Sequence, residues 1–169
     1  MAKVLERSLY QTDYYAWTKD QAAKLRALAA ARVNSPLDLE NLAEEIESSG
    51  RSDWRAPRSQ VQRVIEHLLR LEFSPARELR WESMDPIGQA RDELVDLLTP
   101  VLRREVEEDI VTAFERGKRE AAKGLRRHGE REAAQALPTT CPYSLDQIVS
   151  HDWYPKNRHG ILDNFDGET

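Results

Sequence analysis

From Thr12 to Lys123 the apolar residues of this chain return every three or four positions, one segment after another. That spacing belongs to amphipathic helices stacked side by side. Val61, Val64, Ile65, Leu68 and Leu71 form one stripe, and Ile87, Ala90, Leu94, Leu97 and Leu98 form a second. Leu102, Val106, Ile110, Ala113, Phe114, Gly117 and Ala121 form a third. Composition points the same way. Ala, Glu, Lys, Leu and Arg supply 80 of the 169 residues, whereas Val, Ile and Thr, which favour strands, supply only 22. A sandwich, a barrel or a doubly wound sheet is not what such a chain builds.

Capping residues, prolines and glycines divide the pattern. Thr12-Asp13 predicts a first helix from Asp13 to Arg32, with Tyr14, Trp17, Leu25 and Leu28 on one side and Gln21 interrupting the stripe. Ser35, Pro36 and Asp38 predict the start of a second, about 36–49, burying Leu39, Leu42, Ala43 and Ile46; Gly50 reads as its left-handed end. Ser52 or Ala56 opens the third, with Pro57 in or near its first turn, and Ser74-Pro75 closes it. Residues 76–83 read equally as a helical turn or a loop. Asp85-Pro86 predicts the start of the fourth helix. Thr99-Pro100 either begins a fifth, running to about Lys123, or bends the fourth. A short polar helix is expected within 126–136, and Ser144 with Gln147 caps another ending near Ser150. The expected fold is all-α: one helical-bundle domain over 1–154, about five helices with short connections, and a flexible tail over 155–169 that orders only against a partner.

The function classes that announce themselves in sequence are missing. There is no glycine-rich phosphate loop, no Gly-x-Ser-x-Gly elbow and no His-Glu-x-x-His. No apolar run nears the roughly 20 residues a membrane helix needs, and the N-terminal residues lack a signal-peptide core, so no membrane association is expected. The single cysteine, Cys141, reads as a structural thiol in a reducing compartment, and the expected location is cytoplasmic.

Three groups remain as candidate sites. Glu40, Glu44 and Glu47 share a helix face; with His67 they could form a carboxylate and histidine cluster for a metal-dependent hydrolase-like bundle. The Glu-x-x-His pair of a di-iron bundle is missing, so no metal or cofactor is expected, and pairing of these acids with Arg55, Arg58, Arg63 and Arg70 is the plainer reading. Tyr10, Tyr14 and Trp17 near one end, and Trp153 and Tyr154 near the other, form a candidate partner patch; core packing, or docking of the C-terminal segment on the first helix, is the plainer alternative. Arg116, Arg119, Lys123, Arg126 and Arg127 form a candidate basic face for nucleic acid, although a net charge of -5 argues against such a partner.

Three motifs also resemble a known family. Tyr10-x-x-Asp13-Tyr14-x-x-Trp17, then Asp38-Leu39-Glu40-Asn41-Leu42-Ala43-Glu44-Glu45-Ile46-Glu47 with Gly50, and Cys141-Pro142-Tyr143-Ser144-Leu145 are similar to the bacterial "domain of unknown function 29" family, from about Tyr10 to Pro155. The resemblance implies a bacterial, all-helical protein and carries no activity or catalytic residue with it. Ala56-Pro57 departs from the charged, helix-favouring residues usual there. The function expected from all this is a non-enzymatic protein-interaction module, its partner an unidentified protein or a second copy of itself.

Overall fold

The computed structural model describes residues 8–161, and all regular structure within them is helical. In chain order the elements are α1 (Leu9–Thr12), α2 (Tyr14–Ala30), α3 (Leu39–Phe73), α4 (Arg77–Leu97), α5 (Pro100–Glu108), α6 (Ile110–Arg127), α7 (Arg131–Gln135) and α8 (Leu145–Val149). Five are substantial, as the apolar pattern predicts, but they are not divided where the sequence signals suggest.

The second and third expected helices are one rod. α3 runs 35 residues straight through Gly50 and Pro57. Asp38 caps it, its side chain accepting the N–H of Asn41 at 3.1 Å, while Ser35 closes only a local turn onto the N–H of Leu37. Gly50 does not end the helix because its missing side chain is needed elsewhere: a Cβ there would lie 2.1 Å from Thr18 Oγ1 and 3.1 Å from Thr18 Cβ. Pro57 removes the ladder donor for the Asp53 carbonyl, typically a cost of about 3 kcal/mol, and its ring is buried. Asp85-Pro86 likewise lies inside a helix. α4 begins at Arg77, so residues 76–83 are largely helical and Pro86 sits well within the rod. Thr99-Pro100 does begin α5, with the Thr99 hydroxyl accepting the N–H of Leu102. Asp109 then breaks the long helix expected to follow into α5 and α6.

α3 is the axis of the molecule. Its C-terminal half buries Val61, Val64, Ile65, Leu68 and Leu69 against Ile87, Ala90 and Leu94 of α4 and Phe114, Ala121 and Leu125 of α6. Its N-terminal half pairs chiefly with α2 to form a helical hairpin. The hairpin seam is made of small side chains: Thr18 and Ala22 on α2, Ala43 and Gly50 on α3. Leu42, expected in the core, is 38% exposed, and Ile46 is only half-buried, because the backbones approach along the small residues and leave the larger ones beside the seam.

Close approach also governs α6. Gly117 and Ala121 meet α3 of the same chain. A Cβ at Gly117 would stand 2.8 Å from the Gln62 carbonyl oxygen and 3.1 Å from Ile65 Cγ2, so backbone would have to move. Gly117→Ala is expected to destabilise the protein by about 1–3 kcal/mol. Gly88, inside α4 with nothing within 4 Å of a Cβ, behaves oppositely: Gly88→Ala should stabilise by roughly 0.5–1 kcal/mol. Urea titrations of the two variants check both signs, and equal shifts would refute the packing account.

The start of the expected tail finds its partner within the chain. The Asn157 side-chain amide donates to the Leu71 and Ser74 carbonyls at 2.9 and 2.8 Å, satisfying the C-terminal end of α3. The Arg158 N–H donates to the Glu72 carbonyl, and its guanidinium lies 4.2 Å from the Phe73 ring centre. The remainder of the expected tail, 162–169, lies outside the described residues.

Candidate functional site

The rod-like α3 decides the fate of the carboxylate and histidine cluster. Glu40 and His67 stand on the same helix 27 positions apart, hence about 40 Å along its axis. Glu40 and Glu44 are exposed, and Glu47 is bound by Arg26 Nη2 at 2.5 Å, a contact that holds its carboxyl below the usual range. Glu47 therefore pairs across the hairpin with α2 and not with the arginines further along α3. Arg58 instead reaches Asp109, and Arg70 reaches Glu66, each at 2.5 Å. Among the described residues no group of three or more His, Cys, Asp or Glu is placed to hold a metal ion.

His67 is largely enclosed. Burial, with Arg70 and Arg63 adding positive charge, pulls its imidazole down to about 4, and Nδ1 has no hydrogen-bond partner among the described residues. Cys141 is half-buried; burial pushes its thiol up, and Sγ lies 3.4 Å from the Tyr143 carbonyl oxygen. Neither residue is set up as an activated nucleophile or paired base.

The aromatic groups form two separate sites. Tyr10, Tyr14 and Trp17 make a compact cluster, with ring centres 4.8–5.6 Å apart, on the hairpin. Tyr14 reaches Ser49 with its hydroxyl, whereas Tyr143, which packs on Trp153, reaches Glu72. Those two positions on α3 are 23 residues or roughly 35 Å apart, so the two aromatic groups do not dock on each other.

Arg116, Arg119, Lys123, Arg126 and Arg127 are all exposed on α6, although Lys123 is paired with Glu120. Lys118, Arg119, Lys123 and Arg126 line a shallow depression of 280 Å³.

A buried polar strap near the C-terminus escaped sequence reasoning. Arg91 is 0% exposed, yet it carries a guanidinium. It donates to the carbonyls of Ile148 at 2.9 Å, Gln147 at 3.1 Å and Trp153 at 2.9 Å, and stacks 4.7 Å from the Tyr154 ring centre. Two of those carbonyls end α8, so Arg91 fills the role of a helix C-cap from another element. Burial pulls its guanidinium below its ordinary value, and Tyr154 offsets part of that. Nearby, Glu72 accepts the Tyr143 hydroxyl at 2.7 Å and Arg158 Nε at 2.8 Å; burial and this carboxylate push the phenol above its usual range. A signal for Arg91 was present in the sequence: it falls on the apolar stripe between Ile87 and Leu94.

Residues 9–154 match the family model described as Domain of unknown function DUF29. The chain belongs to that family. An alpha-helical protein of unknown function from Rhodospirillum rubrum has a similar solved structure, with a TM-score of 0.69 at 28% identity over 88% of this chain and 93% of that one. No curated protein matches the chain. The motifs that carry the DUF29 likeness have structural work in this fold. Asp13 and Asp38 cap α2 and α3, accepting the N–H of Ala16 and of Asn41. In Cys141-Pro142-Tyr143-Ser144-Leu145, Tyr143 binds Glu72, Ser144 forms a full capping box with Gln147, and Leu145 is buried. Among the described residues of this DUF29 chain no helix is long and apolar enough to cross a membrane.

Proposed function

We propose that this DUF29 protein is a non-enzymatic interaction module that docks through the outer face of the α2–α3 hairpin, and that the occupant is a second copy of the chain. The observation that carries the reading is what α2 buries: only Thr18 and Ala22. Its larger apolar side chains stand beside the seam, with Tyr14, Trp17 and Leu25 half-buried and Leu28 46% exposed. Tyr10, 55% exposed, and Leu42 on α3 extend the same set. Aromatic residues concentrated in this way are the usual anchors of protein interfaces.

Charge favours self-pairing. Lys19, Lys24 and Arg26 of α2 already pair with Glu105, Asp20 and Glu47 of the same chain, which leaves Arg32 in the turn after α2 and Glu40, Glu44 and Glu45 on α3 as the charges open to a second copy. In a two-fold arrangement of hairpins Arg32 of one copy lies beside the acidic helix of the other, twice over. Two such helices, about 25 Å long and roughly 20 Å wide together, offer on the order of 500 Å² per copy, near the lower bound for a specific interface. The half-buried thiol of Cys141 suits a reducing compartment, so a bacterial cytoplasm belongs to the same reading.

Sedimentation equilibrium tests it. The wild type should move with concentration from the 19.5 kDa monomer to twice that mass. Leu28→Glu and Trp17→Asp should keep it a monomer with unchanged helical circular dichroism. A wild type that stays monomeric at the highest attainable concentration overturns the choice of occupant.

A further inference from the structure

The strongest unassigned feature is the hollow of 280 Å³ between α6 and α7. Lys118, Arg119, Lys123 and Arg126 rim it from one face of α6. Its floor is Ala122 and Ala134, both buried, whose short side chains leave space between the long cations. Elsewhere in the fold Arg26, Arg58, Arg70, Arg103 and Arg158 each hold an acid. Here the pattern stops. Lys118, Arg119 and Arg126 make no ion pair among the described residues, although acids outnumber bases by 30 to 25 in the sequence. Glu115 lines the hollow one turn before Arg119 without binding it. Of the four cations only Lys123 is paired, with Glu120 at 2.7 Å, and the pull of Lys123, Arg119 and Arg127 holds that carboxyl below its ordinary range. The Lys118 ammonium is half-buried, 5.8 Å from the Phe114 ring centre, which places it at the rim instead of in open water.

We propose that this hollow binds the di- or triphosphate group of a small molecule. Two guanidiniums offer planar, bidentate donors to phosphate oxygens, and two ammoniums add compact positive charge. From Lys118 to Arg126 the cations extend about 12 Å along the helix, more than one phosphate needs and suited to a short chain of them. Larger polyanions fit less well. Among the described residues no aromatic ring lines the hollow to stack a base. A chain of net charge -5 also repels an extended polyanion beyond the patch, whereas a compact anion meets chiefly the local field. The phosphates can belong to an inorganic anion or to a nucleotide. The inference concerns α6 and α7 and does not depend on how the hairpin face is used.

Calorimetric titration of the full chain at low salt tests it, with inorganic pyrophosphate and adenosine triphosphate as the two probes and sulfate as the comparison. One saturable site is expected for at least one phosphate probe, about tenfold tighter than for sulfate or better. Arg119→Gln and Arg126→Gln should each weaken it about tenfold, the effect of losing one charge-assisted hydrogen bond to phosphate. Both positions are exposed and glutamine favours helix about as well as arginine, so the fold survives, which unchanged circular dichroism verifies. Arg51→Gln, at an equally exposed position on the hairpin, removes the same charge away from the hollow and should leave affinity unchanged. Tighter binding of the nucleotide assigns the phosphates to a nucleotide, and pyrophosphate binding as tight or tighter assigns them to an inorganic anion; both support the site. No saturable binding of either probe, sulfate bound as tightly, or an equal loss in Arg51→Gln and the α6 variants overturns it. Tighter binding of a short DNA duplex through Arg119 and Arg126 gives the face to nucleic acid and overturns it as well.

Discussion

Arg91→Met should cost the protein on the order of 3–5 kcal/mol and release the segment from α8 to Tyr154. The side chain is wholly enclosed, and its guanidinium satisfies three backbone carbonyls from a segment more than fifty residues away in sequence. Methionine fills much of the volume but donates nothing, so the carbonyls of Gln147, Ile148 and Trp153 would be left without the charged donor that holds them. A hydrogen bond to a charged group is worth about 1.5–3 kcal/mol, and buried acceptors stripped of their donors add a penalty of similar size. Urea denaturation gives the stability change, and limited proteolysis reports whether residues 145–154 have come loose. A loss below about 1 kcal/mol with an unchanged cleavage pattern would show that Arg91 is only a space-filler. The same variant should leave the α2–α3 hairpin in place, because no hydrogen bond of Arg91 reaches α2.

The second large effect is acid lability through His67. Its folded-state value is depressed from 6.5 to about 4, chiefly by burial and then by Arg70 and Arg63. The unfolded chain therefore takes up a proton near pH 6.5 while the folded chain does not. Stability from this residue is fully present above pH 6.5 and is lost as pH falls towards 4. At about 1.4 kcal/mol per pH unit the loss over that window is roughly 3 kcal/mol. Glu66, one residue before, works the other way: burial raises its carboxyl despite Arg70, so its contribution is present at low pH and declines as pH rises past 4.5. His67→Leu should flatten the slope of stability against pH between 6.5 and 4 without removing the acid transition caused by carboxylates elsewhere. Urea midpoints for wild type and variant across that range provide the check. Parallel slopes would mean that the imidazole is solvated in the folded protein.

Much of the helical content was legible because amphipathic spacing is a property of residues already close in sequence. Val61 to Leu71 and Ile87 to Leu94 are buried as their periodicity requires, and Ser144 and Gln147 form the capping box their spacing announces. Gly50, Pro57 and Pro86 misled because each is a local boundary signal worth only about 1–3 kcal/mol. Burial of the α3 and α4 faces on either side of those residues outweighs signals of that size, and the rods continue. The same continuity undid the carboxylate and histidine cluster: residues imagined on facing helices lie in line along one. Arg91 was overlooked for a related reason. A charge on an apolar stripe is an anomaly until the carbonyls it serves are known, and those lie fifty-six to sixty-two residues downstream.

By itself the sequence determined that this DUF29 chain is helical, which faces of its helices are apolar and where α8 begins. The tertiary structure alone decided which apolar faces are used. Thr18 against Gly50 lets two backbones close along small side chains, which leaves Tyr14, Trp17 and Leu28 beside the seam. Periodicity records that a side chain is greasy; only the fit of one surface to another determines whether it ends up inside.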